Sequence, residues 1–172
     1  RLNIIPDELF SEAILSIFHA QEGEIPPLTD PDMIALRRAL FRGSAESDYG
    51  KELRWTAETE LQPLLSPAVF SRNQLLNEGV ETFQNRSASS TDILHEYFVP
   101  RTGIDTFLDE LRRIVPLHDG NLLNVTVRSV DTDKDTFLRY ADRQMFAFVM
   151  LFQQPRTAEG EEVMLAMTRE LI

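Results

Sequence analysis

The chain lacks cysteine and is poor in basic residues, and both features exclude classes of function. Without cysteine, its 172 residues contain no disulfide framework, no thiolate nucleophile and no cysteine-ligated metal. Lysine and arginine total 17 against 28 aspartates and glutamates, which gives a formal net charge of -11. A nucleic-acid partner requires basic patches that displace counterions, and anionic membranes attract basic segments. The composition therefore argues against a nucleic-acid partner and disfavours anionic membrane surfaces.

The motifs of self-contained catalysis are also missing. The three histidines, His19, His95 and His118, are too far apart for a metal-ligand spacing. The serines have no nucleophile-elbow context, and the seven glycines are scattered, so the sequence has no phosphate-binding loop.

Targeting signals are absent from the sequence as well. No apolar run reaches the length of a transmembrane helix, and no signal peptide is visible. We therefore predict no membrane span and a cytoplasmic location. Because the chain opens at Arg1 rather than at a methionine and closes at Ile172 within a helical pattern, we expect it to be a piece of a longer protein.

Hydrophobic patterning in the first half predicts short strands followed by helices. The alternation at 9–20 favours a strand, although a helix fits almost as well. Glycine and three prolines predict a loop that precedes the first helix. The predicted elements are strands at 2–5 and 9–20, a loop at 22–31, a helix from 30 or 31 to 41, a break at Gly43 and Ser44, a helix at 47–64 and irregular backbone at 66–90.

The second half reads as strand, helix, strand, strand and helix, with strands at 92–99, 121–130 and 145–153. Thr102 and Thr157 are expected to cap the two helices. Helices on one face of an antiparallel sheet make an α+β layer and leave the other face uncovered. The predicted fold class is α+β, a ferredoxin-like antiparallel sheet with helices on one face, plus a helical segment. We assign a single domain over 1–172, with the helical segment at about 22–70 and the strand-and-helix unit at about 91–172.

Polar residues on the second of these strands form the main candidate site. Because side chains alternate along a strand, Asn124, Thr126 and Arg128 share one face. The guanidinium of Arg128 is a rigid fork suited to donating hydrogen bonds to hydroxyl or carboxylate oxygens. The alternative is an exposed arginine that pairs with Asp131 or another carboxylate.

The other two strands supply the remaining candidates. His95 shares its strand face with Tyr97 and is predicted to line a site; the alternative is a half-buried histidine of the sheet. Gln153 is predicted to complete the pocket at the end of the last strand, and the alternative is simple solvation. We expect His95 to lie beside Arg128 on a neighbouring strand, on the uncovered face.

The strands resemble a known family. The segments HEYFVP at 95–100, NLLNVTVR at 121–128 and MFAFVMLFQ at 145–153 are similar to the substrate (cap) domain of FAD-linked oxidases of the vanillyl-alcohol-oxidase type. These flavoproteins include alditol oxidases, aldonolactone oxidases and cytokinin dehydrogenases. With NRSASSTDILHEY at 85–97, the chain looks most like a bacterial branch described as FAD-binding oxidoreductases. The resemblance covers about residues 71–172.

The resemblance implies that the full protein is an enzyme, an FAD-dependent oxidoreductase, and that this chain is its substrate-binding domain. An FAD-binding domain of the same polypeptide would hold the cofactor. A small-molecule substrate would lie between the two domains and pass a hydride from an alcohol- or amine-bearing carbon to the flavin. Arg128 matches the arginine of an acid-x-Arg strand that binds substrate hydroxyls in sugar-alcohol oxidases. Thr126 stands where that strand has its acidic residue, so the resemblance does not imply a polyol substrate.

The same resemblance implies roles for single residues. His95 would be the base that accepts the hydroxyl proton, and Tyr97, Thr126, Arg128 and Gln153 would bind the substrate. The fragment alone would be inactive. The alternative is a stand-alone ferredoxin-like module for ligand binding or dimerisation, without catalysis. In either case an uncovered apolar face makes a homo-oligomer possible.

Overall fold

The computed structural model of the chain describes residues 1–30, 33–65, 69–77 and 79–172. The chain divides into two compact units, one formed by Ile14–Arg86 and the other by Arg1–Ala13 with Ser87–Ile172. The division differs from a single domain over 1–172. It also moves the start of the helical part to residue 14 and adds the first thirteen residues to the sheet-containing unit.

Within its described residues the helical unit contains four α-helices, and the second, α2 (Asp48–Thr56), is followed directly by one π-helical turn. Gly43 and Ser44 do not break the first helix as predicted. Ser44 is 1% exposed, and its hydroxyl accepts from the guanidinium of Arg54 in the next helix at 3.3 Å, so tertiary packing offsets the poor helix propensity of this pair. The break comes at Ser47, whose side chain accepts from the amide of Gly50 at 3.0 Å. The elements are α1 (Ile34–Glu46), α2 (Asp48–Thr56), the π-helical turn (Ala57–Leu61), α3 (Gln62–Leu65) and α4 (Arg72–Leu76).

The predictions for the flanks of this unit have mixed outcomes. The loop prediction holds for 22–30, and the helix begins at Ile34, later than expected; Pro31 lies outside the described residues. The helix predicted at 47–64 is confirmed as α2, the π-helical turn and α3. The segment predicted as irregular contains α4, whose amino terminus is capped by the side chain of Ser71, while residues 66–68 lie outside the described residues.

The prediction of strands at 2–5 and 9–20 is wrong. In their place, Leu2 and Ala13 form an isolated bridge, and a 3-10 turn lies between them. Residues 14–20 form no regular element, and Ile17 is 65% exposed. The apolar pattern of this segment does not lead to a strand, because no strand in the described part of the chain pairs with it.

The second unit is a three-stranded antiparallel sheet with two helices. The central strand in space is the last one in sequence, so the spatial order of the three strands is first, third, second. The first two strands are therefore parallel to each other and are separated by the third, which is the split arrangement of a ferredoxin-like unit. The α+β prediction is confirmed. The elements are β1 (Ser90–Pro100), α5 (Ile104–Leu117), β2 (Asn121–Val130), β3 (Met145–Pro155) and α6 (Ala158–Leu171).

The two helix caps of this unit differ. Thr157 caps α6 as predicted, and its hydroxyl accepts from the amide of Gly160 at 3.0 Å. The cap predicted at Thr102 is wrong, because a 3-10 turn over Arg101–Gly103 precedes α5 and the residue before the helix makes no side-chain cap.

Both helices pack on the same face of the sheet. Phe148, Met150 and Phe152 of β3 are fully buried there with Leu111 of α5 and Met167 of α6. We call this the helix face. The opposite face, which we call the open face, carries Leu94, Glu96, Phe98, Asn124, Thr126, Arg128 and Val149.

Candidate functional site

The open face is organised in rows that run across the three strands. Strand register places Glu96 of β1 opposite Val149 of β3, which is in turn opposite Thr126 of β2. Phe98 and Arg128 flank the central strand in the next row along. Adjacent strands are about 4.8 Å apart, so groups on the two outer strands are separated by about 10 Å. The face is therefore a shallow trough with aliphatic residues along its centre, polar groups along β2, and Glu96 between the apolar residues Leu94 and Phe98 along β1.

Arg128 is exposed on this trough. Among the described residues its guanidinium has no hydrogen-bond or ion-pair partner. The alternative of a pair with Asp131 is not realised, because that carboxylate accepts from the side-chain amide of Gln144 at 3.3 Å. The planar fork is thus available for an external acceptor.

Thr126 lies beside Arg128 on the same strand face and is half-buried. Its hydroxyl accepts from the side-chain amide of Asn124 at 3.3 Å, which leaves its own proton to donate. Together these three residues present donors and acceptors along one edge of the trough, as the alternation in the sequence predicted.

His95 and Tyr97 lie on the opposite side of the sheet. Their register partners in β3 are Met150 and Phe148, which point into the helix face. The expectation that His95 lies beside Arg128 on the uncovered face is therefore wrong. The two residues are on different faces and on the two outer strands, with β3 between those strands.

His95 and Tyr97 form a hydrogen-bonded pair on the helix face. The Tyr97 hydroxyl and Nδ1 of His95 are 3.0 Å apart, and the histidine ring lies 5.1 Å from the ring of Phe152. Partial burial lowers the pKa of His95 and raises the pKa of Tyr97, because desolvation disfavours the charged form of each group. Both side chains are therefore neutral near pH 7. This arrangement matches the half-buried sheet histidine that was the alternative for His95.

Gln153 lies at the end of β3, away from the other candidates. Its side-chain oxygen accepts from the amide of Asn121 at 3.2 Å. It lines a separate cleft between the end of the sheet and the helices. The structure therefore brings Thr126 and Arg128 together, but it separates them from His95, Tyr97 and Gln153.

Sequence reasoning missed Glu96. This carboxylate lies between His95 and Tyr97 in the chain, so alternation puts it on the face that they do not occupy. Glu96 is exposed there, across the trough from Thr126. Alternation alone shows that Glu96 opposes its neighbours; only the pairing of β1 with β3 shows that the face with Glu96 is the open one.

Within the described part of the chain, no three His, Cys, Asp or Glu side chains are grouped so that they could hold a metal ion. No described helix is long and apolar enough to cross a membrane. Among the described glycines, Gly23 alone has a positive φ, and it lies in the loop before α1.

Comparison with known proteins finds no match for the chain. No protein-family model matches the chain, and no curated protein and no solved structure matches it.

Proposed function

We propose that this chain is the substrate-binding domain of an FAD-dependent oxidoreductase, with the open face turned toward the substrate and a flavin-binding domain of the same polypeptide. One observation carries the proposal: α5 and α6 cover only the helix face, while the other face exposes an unpaired arginine beside a threonine. The family resemblance of the strands supports the same orientation. The flavin, when bound by the other domain, would supply the hydride acceptor.

The residues of this chain bind and orient the substrate in this proposal. Arg128 donates two hydrogen bonds to a hydroxyl or carboxylate oxygen. Thr126 donates to a second oxygen, and the trough floor at Val149 contacts the carbon skeleton. Glu96 replaces His95 as the group that accepts a hydroxyl proton, because it lies on the same face as Arg128 and is within about 10 Å of Thr126.

Substitution of Arg128 in the full-length polypeptide tests the proposal. A charge-assisted hydrogen bond is worth about 1.5–3 kcal/mol, so Arg128→Ala should lower kcat/KM roughly ten- to a hundredfold. The melting temperature should barely change, because the guanidinium is exposed and unpaired. Arg128→Lys keeps the charge and loses the fork, so a substantial kinetic loss there indicates bidentate recognition.

A matched control is Arg169→Ala. Arg169 is an exposed arginine in the last turn of α6, on a helix that covers the helix face, so its loss should leave the kinetics unchanged. The proposal fails if Arg128→Ala lowers the melting temperature sharply while the activity per folded molecule is retained. It also fails if the full-length polypeptide purifies without flavin and binds none when FAD is added.

A stand-alone module for ligand binding or dimerisation is the second candidate, and the exposed apolar residues of the open face favour it. Leu94 is 62% exposed and Phe98 is 37% exposed, and a second copy of the chain could bury both. Sedimentation equilibrium separates the two candidates. A micromolar dimer that Leu94→Asp dissociates would support the module, whereas association only at much higher concentration fits a face that another domain covers.

A further inference from the structure

The two edges of the sheet differ in how they are protected against a further strand. Each outer strand pairs with β3 on one side and leaves its other side as an edge of the sheet. On the outer side of β2, the amide of Leu2 donates to the Val125 carbonyl at 3.1 Å. The register of β2 also shifts between Leu122 and Asn124. A backbone partner and a bulge both hinder the addition of another strand at this edge.

The outer edge of β1, on the side away from β3, has neither form of protection. The strand pairs with β3 over all eleven residues, Ser90–Pro100, without a shift in register. In the described part of the chain, no backbone group of residues 93–99 makes a backbone hydrogen bond beyond the pairing with β3. The strand contains no lysine or arginine, and its one proline is its last residue. A long edge without these devices is a template for another strand.

The connections of the sheet point to the same edge. Helix α5 carries the chain from β1 across β3 to β2 and lies on the helix face. Crossovers between parallel strands are right-handed in about 98% of cases. Because β3 is antiparallel to β1 and α6 covers the same face as α5, a right-handed crossover through α6 moves in the opposite direction across the sheet. A strand that follows α6 and runs parallel to β3 would therefore lie beside β1 and antiparallel to it.

The side chains of β1 define which strand fits this edge. On the open face, Glu96 lies between Leu94 and Phe98, which are 62% and 37% exposed. Residues directly opposite each other in antiparallel strands contact on one face, and like charges there are destabilising. The fitting strand therefore carries apolar residues opposite Leu94 and Phe98 and a basic or hydroxyl residue opposite Glu96.

A second copy of the chain fits the edge less well. Its β1 strand contains no lysine or arginine to place opposite Glu96. Each copy also carries a formal net charge of -11, so self-pairing brings two acidic chains together.

We propose that the outer edge of β1 binds one further antiparallel strand, which the polypeptide following α6 supplies in the longer protein. This inference rests on the function proposed above, in which the chain is one domain of a longer polypeptide. The added strand widens the open face beside Glu96 and Phe98, so it forms a wall of the proposed substrate trough.

Amide hydrogen exchange of β1 tests the proposal in the 172-residue chain and in the full-length polypeptide. Alternate residues of an antiparallel strand direct their backbone groups to opposite sides, so every second amide of β1 should exchange rapidly in the shorter chain. In the full-length polypeptide those amides should gain roughly a hundredfold protection or more. The amides of β3, which has a partner on both sides, should be protected in both proteins.

Cross-strand nuclear Overhauser contacts identify the occupant of the edge. In the full-length polypeptide the residues opposite β1 should be ones that follow α6. The proposal is overturned if the fast amides of β1 stay fast in the full-length polypeptide, or if their contacts are to any other segment. It is also overturned if a higher concentration of the shorter chain alone protects them, because a second copy is then the occupant.

A matched pair of variants tests the edge from its side chains. Leu94→Lys places a basic side chain on the edge strand, so in the full-length polypeptide it should lower the protection of the outer amides about two- to fivefold. Leu117→Lys changes a leucine of similar exposure, 65%, at the end of α5 and should leave that protection unchanged. Equal losses in the two variants would overturn the proposal.

The FAD content of the same full-length preparation separates this proposal from the proposed function. Bound flavin with an unprotected β1 edge refutes the added strand alone. A protected edge without flavin, and without binding of added FAD, refutes the proposed function and leaves the added strand supported.

Discussion

Truncating neighbouring residues of β3 tests the sidedness of the sheet on which the proposed function depends. Phe148 is fully buried on the helix face, with its ring 5.0 Å from that of Phe107. The next residue, Val149, is half-buried on the open face. The variants Phe148→Ala and Val149→Ala therefore change adjacent positions of one strand but two different environments.

The structure sets the size of the expected difference. Replacing a buried phenylalanine by alanine costs about 3–5 kcal/mol, because it removes transfer energy and leaves a cavity. Val149→Ala removes two methyl groups from a half-buried site, and at about 0.8 kcal/mol for each fully buried group it should cost about 1 kcal/mol or less. The gap of about 2–4 kcal/mol corresponds to a difference of roughly thirty- to a thousandfold in the opening equilibrium of the sheet.

Amide hydrogen exchange of β3 is the appropriate assay. The single tryptophan, Trp55, lies in the helical unit, so its fluorescence reports on that unit and not on the sheet. Protection factors of the β3 amides report on opening of the sheet itself. If both variants lower β3 protection by the same factor, the two faces are equally covered, and the division into a helix face and an open face is refuted.

Two further predictions concern the same unit. Burial lowers the pKa of His95 in the folded chain, so the unfolded chain binds a proton at His95 more readily. Burial of the neutral His95 therefore contributes stability above the unfolded pKa of about 6.5, and this stability is lost as the pH falls through the folded pKa. His95→Gln should remove that part of the pH dependence of the urea midpoint, and an unchanged dependence would contradict the burial. Thr157→Ala should destabilise α6 by about 1 kcal/mol through loss of its cap, whereas Thr157→Ser should retain most of the stability; equal unfolding midpoints for the alanine variant and the parent chain would show that the cap contributes nothing.

Elements of the second unit were predictable because each has a clear local period. Apolar and polar residues alternate at 123–128, and α5 carries its apolar residues on one stripe, so strand and helix could be distinguished. The apolar pattern at 9–20 fits a helix almost as well as a strand, and it forms no strand, because a strand also requires a partner with free backbone groups. Gly43 and Ser44 failed as a helix break for a related reason, since Ser44 is buried and accepts a hydrogen bond from Arg54 of α2, a tertiary contact that stabilises the helix across them.

The candidate site was predictable only within single strands. Alternation correctly placed Thr126 with Arg128, and His95 with Tyr97. It could not say whether the two pairs share a face, because that depends on how β1 and β2 are each registered against β3. A shift of one residue in register moves every side chain of a strand to the other face.

The sequence by itself determined the α+β class, the three strands and two helices of the sheet unit, the capping of α6 by Thr157 and the absence of cysteine chemistry. These features follow from local periods, from backbone hydrogen bonds near in sequence and from composition. Tertiary structure alone decided that Glu96 lies on the face of Arg128, that His95 faces the helices, and that Gln153 lines a cleft with Asn121. Those placements depend on pairing between residues far apart in the chain, and no local pattern encodes them.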